Sequence, residues 1–393
     1  MIAKFFTIPF LTFFVIIFPV ITPHETGCMG IMVWAPLLFL CLVKARIKFD
    51  GYFLCGAFLW LEAFIVTALS YHVIWNNDPY KYLAFVLIFF LLTRYRYSDD
   101  QINKLIKYYV PIALVISVLI ILSFLGGYTH VDSMFEGSIR YSIGITGWYK
   151  NPNYLASFIN LALFFFFYIL LFRKTKLLTK VLIIGCMATM LVSIVLTGTR
   201  AAILTFAGMV VMVVLGYMKR KRKKISSLLP LLILVTFLVV YASYISNFFE
   251  IFASSRGGMT DDSRLESWSY AWKRICDSPL FGYGLNSWDT MKHGDHLNGL
   301  HNIFLEFLLD QGFIGVLLLC PLMLQGINKI KSIDKTFVYT LMFVTIFPLL
   351  FQNGLVDVIF WRVLIMNSIV INFSALSSRG ISYVIENSKF KLY

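Results

Sequence analysis

The chain has 393 residues, 59% of them hydrophobic and 14% charged, and its formal net charge is +14. A soluble protein keeps about a quarter of its residues charged, so this composition excludes an ordinary soluble globular protein. Apolar runs long enough to cross about 30 Å of hydrocarbon recur along the chain, and they predict an all-α integral membrane protein.

Twelve apolar segments predict about twelve membrane-spanning helices. They are residues 5–21, 28–43, 52–70, 80–93, 108–126, 153–172, 177–196, 201–217, 228–249, 303–324, 336–351 and 358–376. The first segment follows Lys4, but it is long for the apolar part of a signal peptide and no cleavage site follows it. We therefore interpret it as a spanning helix.

The distribution of basic residues predicts the orientation of these helices. With a cytoplasmic N-terminus, 24 of the 34 Lys and Arg residues, including KRKRKK at 219–224, lie on the cytoplasmic side. Positive residues concentrate in cytoplasmic loops, so we expect both termini inside and the long polar loops 127–152 and 250–302 outside. The basic clusters are then topology signals, and no nucleic-acid binding is expected.

The same pattern predicts four parts of the chain. Residues 1–126 contain the N-terminal spanning helices, and 127–249 contain the central helices with their external loop. The large external loop is 250–302, and 303–393 contain the C-terminal helices and a cytoplasmic tail. Because the long polar loops all lie outside, we expect the chemistry on that face.

The large external loop contains a predicted helix. Ser263 to Glu266 fits the capping-box pattern, so Arg264 is expected at the first helical position, beside free amides that bind anions. An apolar stripe follows, formed by Leu265, Trp268, Trp272 and Ile275. This pattern predicts a helix in the membrane interface that ends before Pro279. The alternative is an amphipathic lid whose arginine touches only lipid.

Other polar residues lie where helices enter the membrane. Arg200 follows TGT at the start of one segment, and Arg362 lies about a turn inside the last. An arginine there is costly unless it snorkels or meets an anion. The segment HNIFLEFLLDQGFIG, 301–315, begins with His301 and Asn302, and it carries Glu306 and Asp310 one turn apart.

No motif predicts a metal or another cofactor. The histidines of the external loop, His293, His296 and His301, lack the spacing of a zinc site, and neither CxxC nor HExxH occurs. The six cysteines lie mostly in apolar segments, so they do not indicate a disulfide framework.

Several of these motifs resemble those of bacterial O-antigen ligases and of O-antigen and exopolysaccharide polymerases. Arg200-Ala-Ala-Ile-Leu204 is similar to the arginine–x3–leucine motif of that family. His301-Asn302, nine residues, then Gly312-Phe-Ile-Gly315 resembles the ligase motif in residue type and spacing.

The resemblance extends over about 140–362. Residues 262–288 look like the family's large periplasmic loop, with Arg264 at its arginine position. GLVDVIFW, 354–361, is similar to a segment near the last helix of enteric ligases. TGWYKNPNYLA, 146–156, resembles a pattern of polymerases and ligases.

The resemblance implies a glycosyltransferase of the GT-C-like membrane class in the bacterial inner membrane, with a periplasmic active face. It implies transfer of a glycan from undecaprenyl diphosphate to an acceptor sugar hydroxyl. Arg200 and Arg264 would bind the diphosphate as planar forks in place of a metal, and His301 would be the general base. The other implied substrate-binding residues are Arg140, Asn302, Glu306, Asp357 and Arg362.

Several roles and functions stay open. His301 is either this base or a structural residue that caps a helix. Glu306 and Asp310 either orient the histidine, bind sugar hydroxyls, or pair with Lys or Arg. The acceptor is the lipid A–core of a ligase, which the motifs favour, or a lipid-linked repeat unit of a polymerase. The rival classes are a transporter or flippase, which predicts a site near the membrane midplane, and a non-catalytic partner in polysaccharide assembly.

Overall fold

The computed structural model describes a large part of the chain. The described residues are 49–73, 80, 83–84, 86–87, 99–127, 130–131, 139–143, 152–172, 176–221, 261–294, 299–324 and 332–351. The predicted segments 5–21, 28–43, 228–249 and 358–376 lie outside them, as do Asp357 and Arg362. Only scattered residues of 80–93 are described.

The described residues form nine α-helices, one 3-10 helix and one pair of short strands. The helices are α1 (Gly51–Leu69), α2 (Asp99–Leu125), α3 (Pro152–Phe172), α4 (Leu177–Leu196), α5 (Arg200–Lys221), α6 (Asp261–Asp277), α7 (Ser287–Gly294), α8 (Ile303–Leu324) and α9 (Ser332–Ile346), and the 3-10 helix is Phe347–Phe351. Strands β1 (His130–Val131) and β2 (Ile139–Arg140) are antiparallel, with His130 opposite Arg140. This strand pair, in the predicted external loop 127–152, is an addition to the expected all-α fold.

Six helices in the described ranges are long and apolar enough to cross a membrane. They are Gly51–Leu69, Lys104–Leu125, Pro152–Leu170, Leu177–Leu196, Arg200–Lys219 and Ile303–Leu322. Six of the twelve predicted segments are therefore confirmed, and the protein is a multi-pass membrane protein. The segment predicted at 336–351 is a shorter apolar helix, Lys335–Phe351. Its last turn is a 3-10 helix at Pro348, which has no N–H to continue α-helical bonding.

The chain divides into two compact units. The first contains α1, α6, α7, α8 and the 3-10 helix, and in it α8 packs against α1, α6 and α7. The second contains the strand pair, α3, α4 and α5, and in it α3 packs against α4 and α5. Helix α3 is buried along most of its length, with Phe158 and Phe164 among the largest fully buried side chains.

The helix predicted in the large external loop exists, but its start and its buried face differ from the prediction. Helix α6 begins at Asp261, so Ser263 is its third residue and does not cap it. Two aspartates favour the positive end of a helix dipole, which accounts for the earlier start. Arg264 lies in the first turn but is not the first residue. The helix ends at Asp277, as Pro279 predicts.

The predicted apolar stripe of α6 is divided between two faces. Ile275 is buried and Trp268 is partly buried, whereas Leu265 and Trp272 are exposed. The buried face is completed by two small residues, Ser267 and Ala271, which are not part of a pattern of large apolar side chains.

Candidate active site

Helix α8 is broken at Gly312, and a neighbouring loop replaces its missing hydrogen bonds. Gly312 has φ 59° and ψ −165°, so the regular bonding across it is lost. The backbone N–H groups of Tyr283 and Gly284 donate to the carbonyls of Leu309 and Asp310, each at 2.9 Å. Phe313 and Ile314 follow Gly312. Their backbone N–H groups donate to the carbonyls of Pro279 and Leu280, at 2.8 and 3.1 Å. We call residues 279–284 the helix-break loop.

Two glycines permit this close contact. Gly312 has a left-handed φ, and a Cβ there would collide with the backbone of Leu280. Gly282 has φ 68°, and a Cβ there would collide with the backbone of Leu309 and Asp310. The first glycine of the His-Asn–x9–Gly motif is therefore required by backbone geometry.

The helix-break loop is also tied to α1. The hydroxyl of Ser70 donates to the carbonyl of Tyr283, and the N–H of Leu285, just after the loop, donates to Thr67 Oγ1 at 3.1 Å. The two helices that contact the loop therefore fix its backbone from both sides.

Asp310 joins the broken helix to the start of α7. Its side chain is fully buried and accepts hydrogen bonds from the N–H of Asn286 at 2.9 Å and of Ser287 at 3.3 Å. The hydroxyl of Ser287 donates to the same carboxylate at 2.8 Å. The carboxylate therefore caps a second helix from outside it, a role that the sequence did not predict.

The start of α8 combines an unusual backbone with a capped first turn. His301 has φ 48°, a conformation that costs energy for a residue other than glycine, and its side chain is partly exposed. Asn302 Oδ1 accepts hydrogen bonds from the N–H groups of Phe304 at 3.1 Å and Leu305 at 3.2 Å. Asn302 is thus the helix cap, a role not expected for it. Glu306 lies one turn further on and is buried, at 6% exposure.

Helix α6, which carries Arg264 in its first turn, shares a core with the start of α8. Trp268 Nε1 donates to the carbonyl of Leu300 at 2.7 Å. Around this bond the apolar cluster contains Ala271, Ile275, Trp288, Met291, Leu300 and Leu309. Within the first unit, the structure therefore brings the helix of Arg264 together with His301, Asn302 and Glu306.

In the second unit, Arg200 is the exposed first residue of α5 and follows a turn fixed by polar side chains. Gly198 has φ 61° in this turn. Thr197 Oγ1 lies 3.0 Å from Thr199 Oγ1, which donates to Asn153 Oδ1 at 3.2 Å. Asn153 belongs to the NPN sequence, so two motifs that were recognised separately meet at one junction.

The backbone that carries Arg140 reaches the same part of the second unit. Arg140 ends β2, and the N–H of the next residue, Tyr141, donates to the carbonyl of Leu196 at 3.2 Å. Leu196 ends α4, four residues before Arg200. Two of the predicted site residues, Arg140 and Arg200, are therefore attached to one helix junction.

A polar cluster that the sequence did not single out lies in the first unit. It contains Tyr71 and His72 after α1, Tyr270 and Arg274 on α6, and Tyr283 in the helix-break loop. The sequence motifs assign no role to Arg274. The contacts join residues about 200 positions apart in sequence, so local sequence patterns do not predict them. The one local signal is the spacing of Tyr270 and Arg274, four residues apart on one helix.

These features define a multi-pass membrane protein with polar residues concentrated at helix starts. Across the described ranges, His, Cys, Asp and Glu form no group of three or more that could hold a metal ion. Residues 185–320 match the family model described as O-antigen ligase. That range contains Arg200, Arg264, His301 and the helix-break loop.

The match supports the resemblance to O-antigen ligases and polymerases over residues 185–320. A match of this kind supports an O-antigen ligase- or polymerase-type function, without specifying donor or acceptor. No match to this chain was found among curated proteins.

Proposed function

We propose that the protein transfers a glycan from undecaprenyl diphosphate to an acceptor sugar hydroxyl at the periplasmic face of the inner membrane, without a metal ion. The observation that carries this proposal is the position of His301. It is partly exposed, has a strained backbone and directly precedes the capped start of α8, within the range matched by the O-antigen ligase model. Strained backbone of this kind clusters at active sites.

Arg200 and Arg264 bind the donor diphosphate in this proposal. Arg200 is the exposed first residue of α5, and Arg264 lies in the first turn of α6. Free amides and the helix dipole attract anions at both positions, and the guanidinium binds phosphate oxygens two at a time. Their charge stabilises the diphosphate as it leaves. Arg140, Asp357 and Arg362 contribute further contacts to substrate.

His301 acts on the acceptor. The acceptor oxygen forms a bond to the anomeric carbon of the donor sugar while the bond from that carbon to the diphosphate breaks. The imidazole of His301 takes the hydroxyl proton, a contribution worth about 10²–10⁴ in rate. Glu306 and Asn302 line the acceptor side of this site, and Asn302 in addition keeps the first turn of α8 in place.

The donor reaches the site through the bilayer. Four exposed apolar side chains on α6 and the helix-break loop support this route, because they provide a surface for lipid and for a polyprenyl tail. They are Leu265, Trp272, Leu280 and Phe281. We propose that α6 lies in the periplasmic interface and that both termini are cytoplasmic, and Cys276, exposed on α6, offers a native probe. A membrane-impermeant maleimide should label it from the periplasmic side.

A ligase acting on lipid A–core is the favoured reaction. The glycine spacing that resembles ligases has a structural basis in the break at Gly312, and the matching family model is described as O-antigen ligase. The polymerase reaction is the second candidate, favoured by Asn153 of the NPN sequence, which accepts a hydrogen bond from Thr199 beside Arg200.

A deletion strain examined on a lipopolysaccharide gel separates the two reactions. Loss of a ligase leaves unsubstituted core on the surface while polymer accumulates on its lipid carrier. Loss of a polymerase leaves core that bears one repeat unit. Reconstitution of the purified protein in vesicles with donor and acceptor tests the transferase class itself: glycan transfer supports it, whereas movement of a solute without transfer indicates a transporter.

A further inference from the structure

The polar cluster in the first unit combines aromatic rings with a guanidinium. Arg274 donates to the Tyr270 hydroxyl from Nε at 3.0 Å and from Nη2 at 2.8 Å. Its Nη1 lies 3.9 Å from Asp277, and its side chain remains 43% exposed. An exposed ion pair at this distance contributes little to stability. The guanidinium is therefore oriented by Tyr270 and is still accessible to a ligand.

The other side of the cluster is formed by Tyr71, His72 and Tyr283. The centroid of the His72 ring lies 3.9 Å from that of the Tyr71 ring. It lies 5.4 Å from the centroid of the Tyr283 ring, which it meets edge to face. Ser70 fixes this arrangement, because its hydroxyl donates to the Tyr283 carbonyl and accepts from the His72 N–H. Tyr71 is 88% exposed.

Electrostatic effects connect the two sides. Burial lowers the pKa of His72 below its usual range, and the charge of Arg274 lowers this pKa further. The imidazole is therefore neutral at neutral pH. A neutral imidazole has one hydrogen-bond donor and one acceptor, which suits a hydroxyl group rather than a phosphate.

The composition of the cluster matches the chemistry of a sugar ring. Aromatic faces pack against the apolar faces of a pyranose, while phenol, imidazole and guanidinium groups bond its hydroxyls or a carboxylate. Tyr71 and Arg274 are both exposed, so a ligand can reach both sides of the cluster. Tyr283 also belongs to the helix-break loop, and its N–H donates to Leu309 of α8, so the cluster is rigidly connected to the helix that follows His301.

We propose that Tyr71, His72, Tyr270, Arg274 and Tyr283 form a carbohydrate subsite that binds a sugar residue of the glycan away from the bond being made. This inference rests on the proposed function, and it adds a specificity site to it. The sugar belongs either to the acceptor or to the donor glycan, because both present pyranose rings.

The test is direct binding of two lipid-free oligosaccharides to the full-length protein in nanodiscs. One probe is the core oligosaccharide released from the host lipopolysaccharide, and the other is the repeat-unit oligosaccharide of its O polysaccharide. The variants are Arg274→Ala and Arg274→Lys, and Lys273→Ala is the matched control, since Lys273 is the exposed neighbouring cation on α6. Thermal unfolding verifies that each variant is folded.

We expect Arg274→Ala to weaken binding roughly ten- to a hundredfold, as loss of a charged hydrogen-bond donor does. Arg274→Lys should weaken binding by a smaller factor, and Lys273→Ala should leave it unchanged. If Arg274→Ala weakens binding of the core probe alone, the subsite binds the acceptor. If it weakens binding of the repeat-unit probe alone, the subsite binds the donor glycan. If it weakens binding of both probes, the subsite binds a sugar that the two share.

Two results would overturn the subsite: equal binding by the Arg274 variants and the Lys273 control, or no binding of either probe by the wild-type protein. The proposed function is tested separately by transfer in the reconstituted system. A protein that transfers glycan but binds sugars independently of Arg274 retains the function and loses the subsite. A protein that binds through Arg274 but transfers nothing retains the subsite and loses the function.

Discussion

The starts of α8 and α5 both carry a predicted catalytic residue, but different interactions fix them. Around α8 the bonds are mainly between backbone groups: the helix-break loop replaces the hydrogen bonds lost at Gly312, and the buried Asp310 binds two amides. Before α5, bonds between side chains add to those of the backbone: Thr197 donates to Thr199, and Thr199 donates to Asn153. The region around α8 therefore depends on a few residues whose contacts no other residue provides. The stability of the turn before α5 comes instead from several weak contacts.

The largest effect is expected for Gly312→Ala. A Cβ at this left-handed position collides with the Leu280 backbone, and the strain alone costs about 1–3 kcal/mol. We expect loss of transfer activity and a lower unfolding temperature of the purified protein. Gly185→Ala on α4 is the control, because a Cβ there meets no atom within 4 Å. Wild-type activity and unfolding temperature in Gly312→Ala would contradict the described break in α8.

A smaller but substantial effect is expected for Asp310→Ala. The change removes the acceptor of the buried amide and hydroxyl of Ser287 and of the partly buried amide of Asn286, and each buried group left without a partner costs about 1–3 kcal/mol. Thermal unfolding should show a clear loss of stability. Ser287→Ala, which removes a single donor to the same carboxylate, should lose markedly less. Equal losses in the two variants would mean that Asp310 does not bind the backbone amides.

The smallest effect is expected in the second unit, for Asn153→Ala. This variant loses the hydrogen bond from Thr199, and a bond between neutral groups contributes about 0.5–1.5 kcal/mol. We expect a modest fall in unfolding temperature and a partial loss of transfer, because the turn before Arg200 becomes less fixed. If Asn153→Ala lowered the unfolding temperature and the transfer activity as much as Gly312→Ala, the predicted difference between the two regions would be wrong.

The sequence predicted the parts of this structure that depend on local patterns. Hydropathy located six described spanning helices, and the TGT sequence located the helix start at Arg200. The role of Asp310 depends on backbone amides 23 and 24 residues earlier, and the cluster around Arg274 depends on residues more than 200 positions away. No periodicity encodes such contacts. The capping-box pattern predicts a start of α6 that is too late, because the two aspartates before it already belong to the helix.

The sequence motif contained Gly312 but did not indicate its structural role. Its spacing from His301 resembled a motif, while the left-handed backbone and the contact with Leu280 become visible only in three dimensions. Residues 185–320, which match the O-antigen ligase model, contain both this glycine and the histidine. The motif spacing therefore reflected a backbone requirement at Gly312.

The most direct test of the proposed chemistry is the rate of glycan transfer by His301→Ala in reconstituted vesicles, with lipid-diphosphate glycan as donor and lipid A–core as acceptor. Loss of the general base should lower the rate by about 10²–10⁴, with donor binding retained through Arg200 and Arg264. Gly185→Ala, at a position on α4 with no role in the proposed site and open space for a Cβ, should retain the wild-type rate. Transfer by His301→Ala at the wild-type rate would contradict the assignment of His301 as the base.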